Sequence, residues 1–487
     1  MQISEIKSRI KDRPILFLLA LALSVRLYNV NSPIIGTHSW RQSDTAAMAR
    51  NFHTNGYNFM YPQIDWGGLP GYCETEFPIY SFIVALLYKI FGAHDFLGRL
   101  FSIICFLIAI YFLYKLTLIY FNKNTAFWAC LVYSVLPLNI YYSRTFQPES
   151  MLLMCSVISI YYFSNWLNSA RYQDLIISGT FTSIACLLKV LPIIYLGIPL
   201  VYLASTKLRI KILSNISLWI YCLSVLLVTF AWYYHAHDIF LRYGNTFGFS
   251  ANSTDRYDYH VLLSLNFWTD LIFRTVVRHF AIFLFPVFIA GLFIKRKTAQ
   301  EYVFDVWLLA IIATQILVPV TSSVHEYYQL SFMLPSVVFI GKAFDLLFKK
   351  YKKFLVTCFC LSLVTGSLIY SIDYMPLEKT ETSAILRLSE QVKSIVPQNS
   401  LIISSTGGDP TLLYLSDRKG WLINHRDITD EYILSKRKLG AKYLVGSFNF
   451  VESYSKVDDN QKQKVNHVLE QYPNLVKDGQ NFIAKLE

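Results

Sequence analysis

The chain has 487 residues, of which 54% are hydrophobic and only 16% are charged. This composition excludes an ordinary soluble globular protein, in which about a quarter of the residues are charged. The net charge of +12 does not indicate nucleic-acid binding, because the Lys and Arg residues lie in short segments between long apolar runs. The composition therefore predicts an integral membrane protein that contacts membrane lipids and binds no nucleic acid.

Apolar runs of about 17–25 residues, long enough to cross a bilayer core of roughly 30 Å, recur along the chain. The first run, Pro14 to Val30, follows Lys7, Arg9, Lys11 and Arg13 and has no small-residue cleavage motif, so we interpret it as a retained anchor rather than a signal peptide. Hydropathy predicts about eleven spans. They lie near residues 14–30, 97–119, 125–142, 150–166, 174–188, 191–205, 213–231, 275–294, 303–320, 331–347 and 354–371.

The basic residues predict the orientation of these spans. If the N-terminus is cytoplasmic, alternate loops lie inside and carry most of the cations, as the positive-inside rule requires. These cations are Lys123, Arg171, Lys207, Arg209, Lys211, Lys295, Arg296, Lys297, Lys349, Lys350, Lys352 and Lys353. Residues 31–96, 232–274 and 372–487 then lie outside, which predicts a multi-pass protein of the bacterial inner membrane with an extracytoplasmic C-terminus.

The first outer segment, residues 31–96, contains two predicted helices. One covers Ser43 to Phe52. The other covers Pro78 to Phe91, is bounded by Pro and Gly, and at about 14 residues is short for a span. We therefore expect this second helix to lie along the membrane surface, and the inside-outside assignment of all later loops depends on that interpretation.

The last part of the chain has a different composition. Strand-like runs at residues 400–404, 420–423 and 442–446 alternate with helical patterns around 382–395, 429–438 and 459–471. This alternation predicts a small soluble α/β domain over residues 372–487. The remainder, residues 1–371, is predicted to be a transmembrane domain.

Acidic residues from three separate regions are predicted to lie at the outer membrane face. Asp44 shares a helix face with Ala47, Met48 and Asn51, while Glu76 precedes the surface helix and Glu149 follows a Pro at the outer end of a span. Each has a simpler explanation, because Asp44 suits a helix N-terminus and loop carboxylates are usually solvated.

Cations and phenols are predicted at the same face. Lys189 ends an apolar run, where an ionisable group is costly and marks either a bound anion or a lysine whose head reaches the interface. Arg144 lies in the loop before Glu149. His325, Tyr327 and Tyr328 lie between two spans, where an aromatic belt would explain the two Tyr but not the His.

In this order, the motifs resemble those of the GT-C membrane glycosyltransferases. The resemblance covers residues 10–350 and is to the group that includes protein O-mannosyltransferases and the aminoarabinose transferases that modify lipid A. It consists of a basic start, one span, a long outer loop with an Asp in an Asp-x-x-x-x-Ala-Arg helix, an acid-x-Pro element, and a second acid after a Pro. A Gly-rich phosphate loop is absent from the sequence, as expected if the donor is not a nucleotide sugar.

The resemblance implies roles for individual residues. Asp44 would be the catalytic base, and its predicted place near a helix N-terminus, close to Arg41, favours an ionised carboxylate. Glu149 matches the second catalytic acid of the family. Glu76 matches an acid that contributes to a divalent-metal site in the lipid A enzymes, although Phe77 replaces the Lys that follows it there.

Because that Lys is replaced, the resemblance leaves other groups to bind the donor phosphate. The candidates are Lys189, Arg144, His325, Tyr327 and Tyr328. The implied reaction is an inverting transfer of a hexosyl or pentosyl group from a polyprenyl-phosphate donor to a hydroxyl of a lipid, glycan or protein acceptor. The main alternative is a flippase or transporter of lipid-linked sugars, which should carry charges at mid-span depth; this chain carries very few there.

Overall fold

A computed structural model of the protein describes residues 13–248, 257–379, 383–448 and 457–486. The cations Lys7, Arg9 and Lys11, on which the predicted orientation partly rests, lie outside the described residues. The chain divides into two compact units. The helical unit comprises residues 1–30, 99–235 and 250–373, and the mixed unit comprises residues 31–98, 236–249 and 374–487.

The helical unit is built almost entirely of α-helices, and two of its helices continue into the mixed unit. In chain order they are α1 (Arg13–Ser24), α4 (Asp95–Tyr120), α5 (Lys123–Val135), α6 (Pro137–Tyr142), α7 (Glu149–Ser169), α8 (Tyr172–Leu188), α9 (Pro192–Tyr195), α10 (Gly197–Leu208), α11 (Ile216–Tyr243), α12 (Leu265–Phe273), α13 (Phe285–Phe293), α14 (Val303–Leu317), α15 (Pro319–Val324) and α16 (Met333–Ile369). Short 3-10 turns cover Arg209–Ile212, Tyr259–Leu263, Ala299–Tyr302 and Glu326–Phe332, and π-turns cover Arg274–His279 and Tyr370–Tyr374.

Six helical segments among the described residues are long and apolar enough to cross a membrane. They are Asp95–Tyr120, Glu149–Ser169, Pro192–Ile212, Ile216–Tyr243, Ala299–Leu317 and Glu326–Glu378. The other predicted spans coincide with shorter helices, because Pro137 divides one of them and a π-turn interrupts another. A polytopic helical protein is thus confirmed, and the count of eleven spans stays a prediction.

Helix α16 reverses direction at Tyr351, whose φ of −121° and ψ of 29° are not helical. The ring centroids of Phe344 and Phe359 are only 6.3 Å apart, whereas 15 residues of straight helix would extend about 22 Å. The element is therefore a hairpin of two antiparallel helices. This matches the predicted spans 331–347 and 354–371, with the Lys349–Lys353 cluster at the turn.

The mixed unit combines three helices of the first loop with a small sheet from the end of the chain. Its helices are α2 (Ser39–Thr54), α3 (Ile79–Phe91), α17 (Ala384–Ile395), α18 (Thr411–Ser416), α19 (Asp430–Lys438) and α20 (Asp459–Leu469), together with the start of α4. Its 3-10 turns are Met375–Glu378 and His425–Asp427. Its strands are β1 (Leu401–Ser405), β2 (Gly420–Leu422), β3 (Ala441–Ser447), β4 (Asn474–Lys477) and β5 (Asn481–Lys485).

The sheet has the order β2-β1-β3-β5-β4. Strands β2, β1 and β3 are parallel, and β5 runs antiparallel to both β3 and β4. The predicted α/β tail is therefore confirmed, including the three strands and three helices expected from the sequence. Strands β4 and β5 and helix α18 were not predicted.

The sheet packs directly against the first loop. The backbone N–H of Gly68 donates to the carbonyl of Gly420 over 2.8 Å, and the N–H of Gly420 donates to the carbonyl of Asp65 over 2.9 Å. Gly68 has a φ of +80°, and a Cβ there would lie 2.7 Å from the ring of Trp421. The first loop and the tail thus belong to one compact unit, and the predicted division into residues 1–371 and 372–487 stays a prediction.

Candidate active site

Asp44 lies in the second turn of α2, not at its end. The helix begins at Ser39 after His38, so Asp44 does not cap it and the simpler explanation of this residue is wrong. The α2 sequence is polar, yet most of its side chains are buried, because the first loop and the tail cover it. Ser43 donates to Thr411 of the tail over 3.3 Å.

The Asp44 carboxylate is buried, with 4% of the residue exposed. Burial raises its pKa to about 8, while the hydrogen bond from Trp66 and the charge of Arg41 oppose the increase, and the charges of Asp65 and Asp409 add to it. The pKa of Asp44 is therefore higher than expected from a place near a helix N-terminus and close to Arg41. A group with this pKa is a stronger base than an ordinary Asp, and it releases its proton near the pH at which enzymes work.

Glu76 does not lie in a cluster of metal ligands. Its Oε1 forms a 3.0 Å ion pair with Nη2 of Arg41. The neighbouring Glu74 is buried, accepts a short hydrogen bond from Thr246, and has its Oε1 3.7 Å from Nδ1 of His237. Among the described residues, no three His, Cys, Asp or Glu side chains are grouped so as to hold a metal ion. The carboxylate of Glu76 is neutralised by a guanidinium instead, and the metal implied by the resemblance stays a prediction.

Glu149 and Lys189 form a buried ion pair in the helical unit. The pair joins the first residue of α7 to the residue that ends α8, with Nζ of Lys189 3.0 Å from Oε1 of Glu149. Both side chains are at least 92% buried. A buried charge requires a partner, and this contact supplies one for each of the two side chains. The catalytic role expected of Glu149 stays a prediction.

Two phenol rings lie against the ammonium group of this pair. Nζ of Lys189 lies 4.7 Å from the ring centroid of Tyr327 and 4.1 Å from that of Tyr328, which are cation-π distances. The ring of His325 stacks on Tyr327 with centroids 5.3 Å apart. Three of the five predicted phosphate-binding groups, Lys189, Tyr327 and Tyr328, therefore line the same small cavity as Glu149, and His325 is linked to them by stacking on Tyr327.

Arg144, the fifth group, has a separate environment in the same unit. Its Nε donates to the hydroxyl of Tyr370 over 2.9 Å, and its guanidinium lies 5.6 Å from the ring centroid of Tyr141. The residue is 1% exposed. These contacts fix the position of the guanidinium, and its predicted role in phosphate binding remains a prediction.

Several residues of these clusters were not identified from the sequence. Trp66, Asp65 and Asp409 modify the pKa of Asp44 that burial raises, and they lie in loops without a recognisable motif. Asp65 also binds Arg50, six residues after Asp44 on α2. The polar sequence of α2 follows the first apolar run in a predicted outer loop, and in the structure most of its side chains are buried. Another part of the chain therefore covers this helix.

Comparison with known proteins agrees with this architecture. A family model described as dolichyl-phosphate-mannose-protein mannosyltransferase matches residues 75–235, which include Glu76, Glu149 and Lys189. No curated protein matches the chain.

Solved structures match almost the whole chain. ArnT from Cupriavidus metallidurans bound to undecaprenyl phosphate is 12% identical, with 97% of this chain and 98% of that chain covered and a TM-score of 0.69. An archaeal oligosaccharyltransferase, AglB from Archaeoglobus fulgidus in complex with an inhibitory peptide and a dolichol-phosphate, is 12% identical, with 91% and 70% covered and a TM-score of 0.58. The protein therefore has the GT-C membrane glycosyltransferase fold.

Proposed function

We propose that this protein is a membrane glycosyltransferase that transfers a single sugar from a polyprenyl-phosphate donor to an acceptor hydroxyl on the extracytoplasmic face. The fold supports this class of reaction. The relatives in complex with undecaprenyl phosphate and dolichol-phosphate support a polyprenyl-phosphate donor.

The observation that carries the proposal is the environment of Asp44. A carboxylate with a pKa near 8 removes a proton from an attacking hydroxyl more effectively than one with a pKa near 4. The proton of the acceptor hydroxyl goes to Asp44, the new bond forms at the anomeric carbon, and the polyprenyl phosphate leaves with the electrons of the broken bond. Attack opposite the leaving group inverts the anomeric configuration.

The leaving phosphate gains charge as the sugar departs, and a fixed cation stabilises that charge. Lys189 supplies the cation, and Tyr327 and Tyr328 lie against it. Glu149 then acts as a positioning residue that fixes the ammonium group through their ion pair. Arg144 and His325 are further candidates for contact with the donor.

The test is sugar transfer in membranes that contain a labelled polyprenyl-phosphate sugar, with the native protein and Asp44→Asn compared at matched expression. Asn keeps the size of the side chain and can still accept the hydrogen bond from Trp66, but it cannot take the proton. We expect transfer to fall by about 10² or more. Folding is monitored by size-exclusion chromatography and thermal unfolding.

The two other outcomes have defined meanings. Normal transfer by Asp44→Asn would remove Asp44 from the mechanism. If neither protein transfers sugar but the labelled lipid crosses the bilayer, the chain is a flippase instead.

A further inference from the structure

A second open cavity, of about 650 Å³, lies within the mixed unit. This volume is in the range of small-molecule sites. The first loop and the tail both line it. Its polar and aromatic wall includes Arg50, Tyr88, Asp95, Lys393, Tyr414 and Asp417.

The polar wall of the cavity is fixed by a network centred on Arg50. Nη1 of Arg50 donates to the backbone carbonyl of Tyr414 over 3.0 Å and lies 2.9 Å from Oδ1 of Asp417, while Nη2 binds Asp65. The hydroxyl of Tyr414 donates a short hydrogen bond to Asp95. Donors and acceptors with fixed directions are what recognition of a polar ligand requires.

The charges of the wall indicate the kind of ligand. Besides His94, the charged lining residues are two cations, Arg50 and Lys393, balanced by two acids, Asp95 and Asp417. A site for an anionic lipid headgroup needs an excess of cations, which this wall lacks. Balanced, directional polar groups next to aromatic rings suit a neutral ligand rich in hydroxyl groups, because each hydroxyl both donates and accepts and the C–H face of a sugar ring packs on an aromatic ring.

We propose that this cavity binds a glycan, and that the acceptor is therefore a carbohydrate or carries one. The proposal rests on the proposed function and specifies its acceptor. Arg50 and Asp44 are both on α2 and six residues apart, a rise of about 9 Å along the helix axis. Contacts this far from the reacting hydroxyl orient an extended substrate and contribute binding energy to the transfer step.

The test uses labelled full-length protein in detergent on an array of neutral and acidic oligosaccharides. Ala93→Trp fills the cavity, because Ala93 lines it and is exposed, so no buried contact is lost. Ser394→Trp is the matched control, since Ser394 is exposed on α17 and does not line the cavity. We expect native protein and the control to bind a neutral oligosaccharide and Ala93→Trp to bind at least about tenfold less.

A second variant tests the polar wall. Asp417→Asn removes the charge paired with Arg50 and keeps a residue type that tolerates the φ of 54° at this position, so we expect weaker binding without a change in thermal unfolding. Three results overturn the proposal: no binding of any array glycan by native protein, equal binding by the two Trp variants, or displacement of the glycan by glycerophosphoglycerol, the soluble headgroup of an anionic lipid.

The glycan-binding test and the test of the proposed function can fail independently of each other. Asp44→Asn should bind the array glycan as native protein does, even when transfer is lost. If Asp44→Asn transfers sugar normally while Ala93→Trp has lost glycan binding, the catalytic assignment fails and the glycan site stands.

Discussion

The indole N–H of Trp66 donates a 2.9 Å hydrogen bond to Oδ1 of Asp44. This bond stabilises the charged form of a carboxyl whose burial otherwise favours the protonated form. The two residues are 22 positions apart, and the loop that carries Trp66 is fixed by its contacts with β2.

The first prediction concerns the pH dependence of transfer. Asp44 accepts a proton only when it is ionised, so kcat/KM should fall as pH decreases below about 8, by about tenfold per pH unit. An ordinary Asp, with a pKa near 4, would give a flat profile from about pH 5 to 9. Trp66→Phe removes a hydrogen bond worth about 1.5–3 kcal/mol. The pKa of Asp44 should then rise, and the profile should shift to higher pH by about one pH unit or more.

Trp268→Phe is the control for that experiment. Its indole N–H also donates to one acceptor, the carbonyl of Leu262 over 2.8 Å, but it lies in the helical unit. We expect this variant to keep the native profile. A Trp66→Phe profile that coincides with the native one would mean that Trp66 does not control the proton on Asp44.

The second prediction is a shift of the pH profile in the opposite direction, to lower pH. The charge of Asp409 raises the pKa of Asp44, so Asp409→Asn should lower that pKa and extend activity to lower pH. Asn preserves the 2.7 Å hydrogen bond from the backbone N–H of Thr411. The measurement is the same kcat/KM profile, with Asp427→Asn in the 3-10 turn His425–Asp427 as control, because Asp427 is not among the charges that shift the pKa of Asp44. A shift of the profile to higher pH would show that the charge of Asp409 does not raise the pKa of Asp44.

The third prediction separates the stabilising role of the Lys189–Glu149 pair from its chemical role. Lys189→Met leaves a buried carboxylate without a partner and should cost about 3–5 kcal/mol of stability. The double variant Glu149→Gln/Lys189→Met should regain most of that stability, because both charges are gone. If Lys189 binds the donor phosphate, transfer by the double variant stays at least about tenfold below native.

A second buried pair in the same unit provides the matched control. Nζ of Lys342 lies 3.5 Å from Oε2 of Glu301, and both side chains are about 95% buried. The double variant Glu301→Gln/Lys342→Met should therefore have a stability similar to that of Glu149→Gln/Lys189→Met. It should transfer sugar at the native rate. Full activity in the Glu149/Lys189 double variant would remove Lys189 from the donor site.

The fourth prediction concerns metal. Because the carboxylate of Glu76 is paired with Arg41, dialysis against EDTA should leave the transfer rate within about twofold of its starting value. Mg²⁺, Mn²⁺ and Zn²⁺ are then added back separately. A loss of tenfold or more that one of these ions reverses would establish a metal requirement that the contacts of Glu76 do not indicate.

The sequence predicts the features that depend on local pattern. Hydropathy and the Lys349–Lys353 cluster predict the two arms of the α16 hairpin, and alternating hydrophobicity predicts β1, β2 and β3. The short apolar helix α3 was also expected as such. In each case the signal lies within about 20 consecutive residues, so one sequence is enough to read it.

The environment of the candidate site could not be predicted in this way. Asp44 was expected to be ionised because Arg41 is close in sequence, but that guanidinium pairs with Glu76. The burial that raises the pKa of Asp44 comes from the packing of the first loop and the tail, which no local pattern encodes. Similarly, Glu149 and Lys189 are 40 residues apart and meet only because α7 and α8 pack as antiparallel neighbours.

The pairing of Ser43 with Thr411 joins residues 368 positions apart. A ribosome adds about 5–20 residues per second, so Thr411 is synthesised roughly 20–70 s after Ser43. During that interval the helix that carries Asp44 has already been made, but the part of the chain that buries it has not. In a newly inserted molecule, Asp44 therefore lacks the burial that raises its pKa, and under the proposed mechanism transfer begins only after translation has passed Thr411.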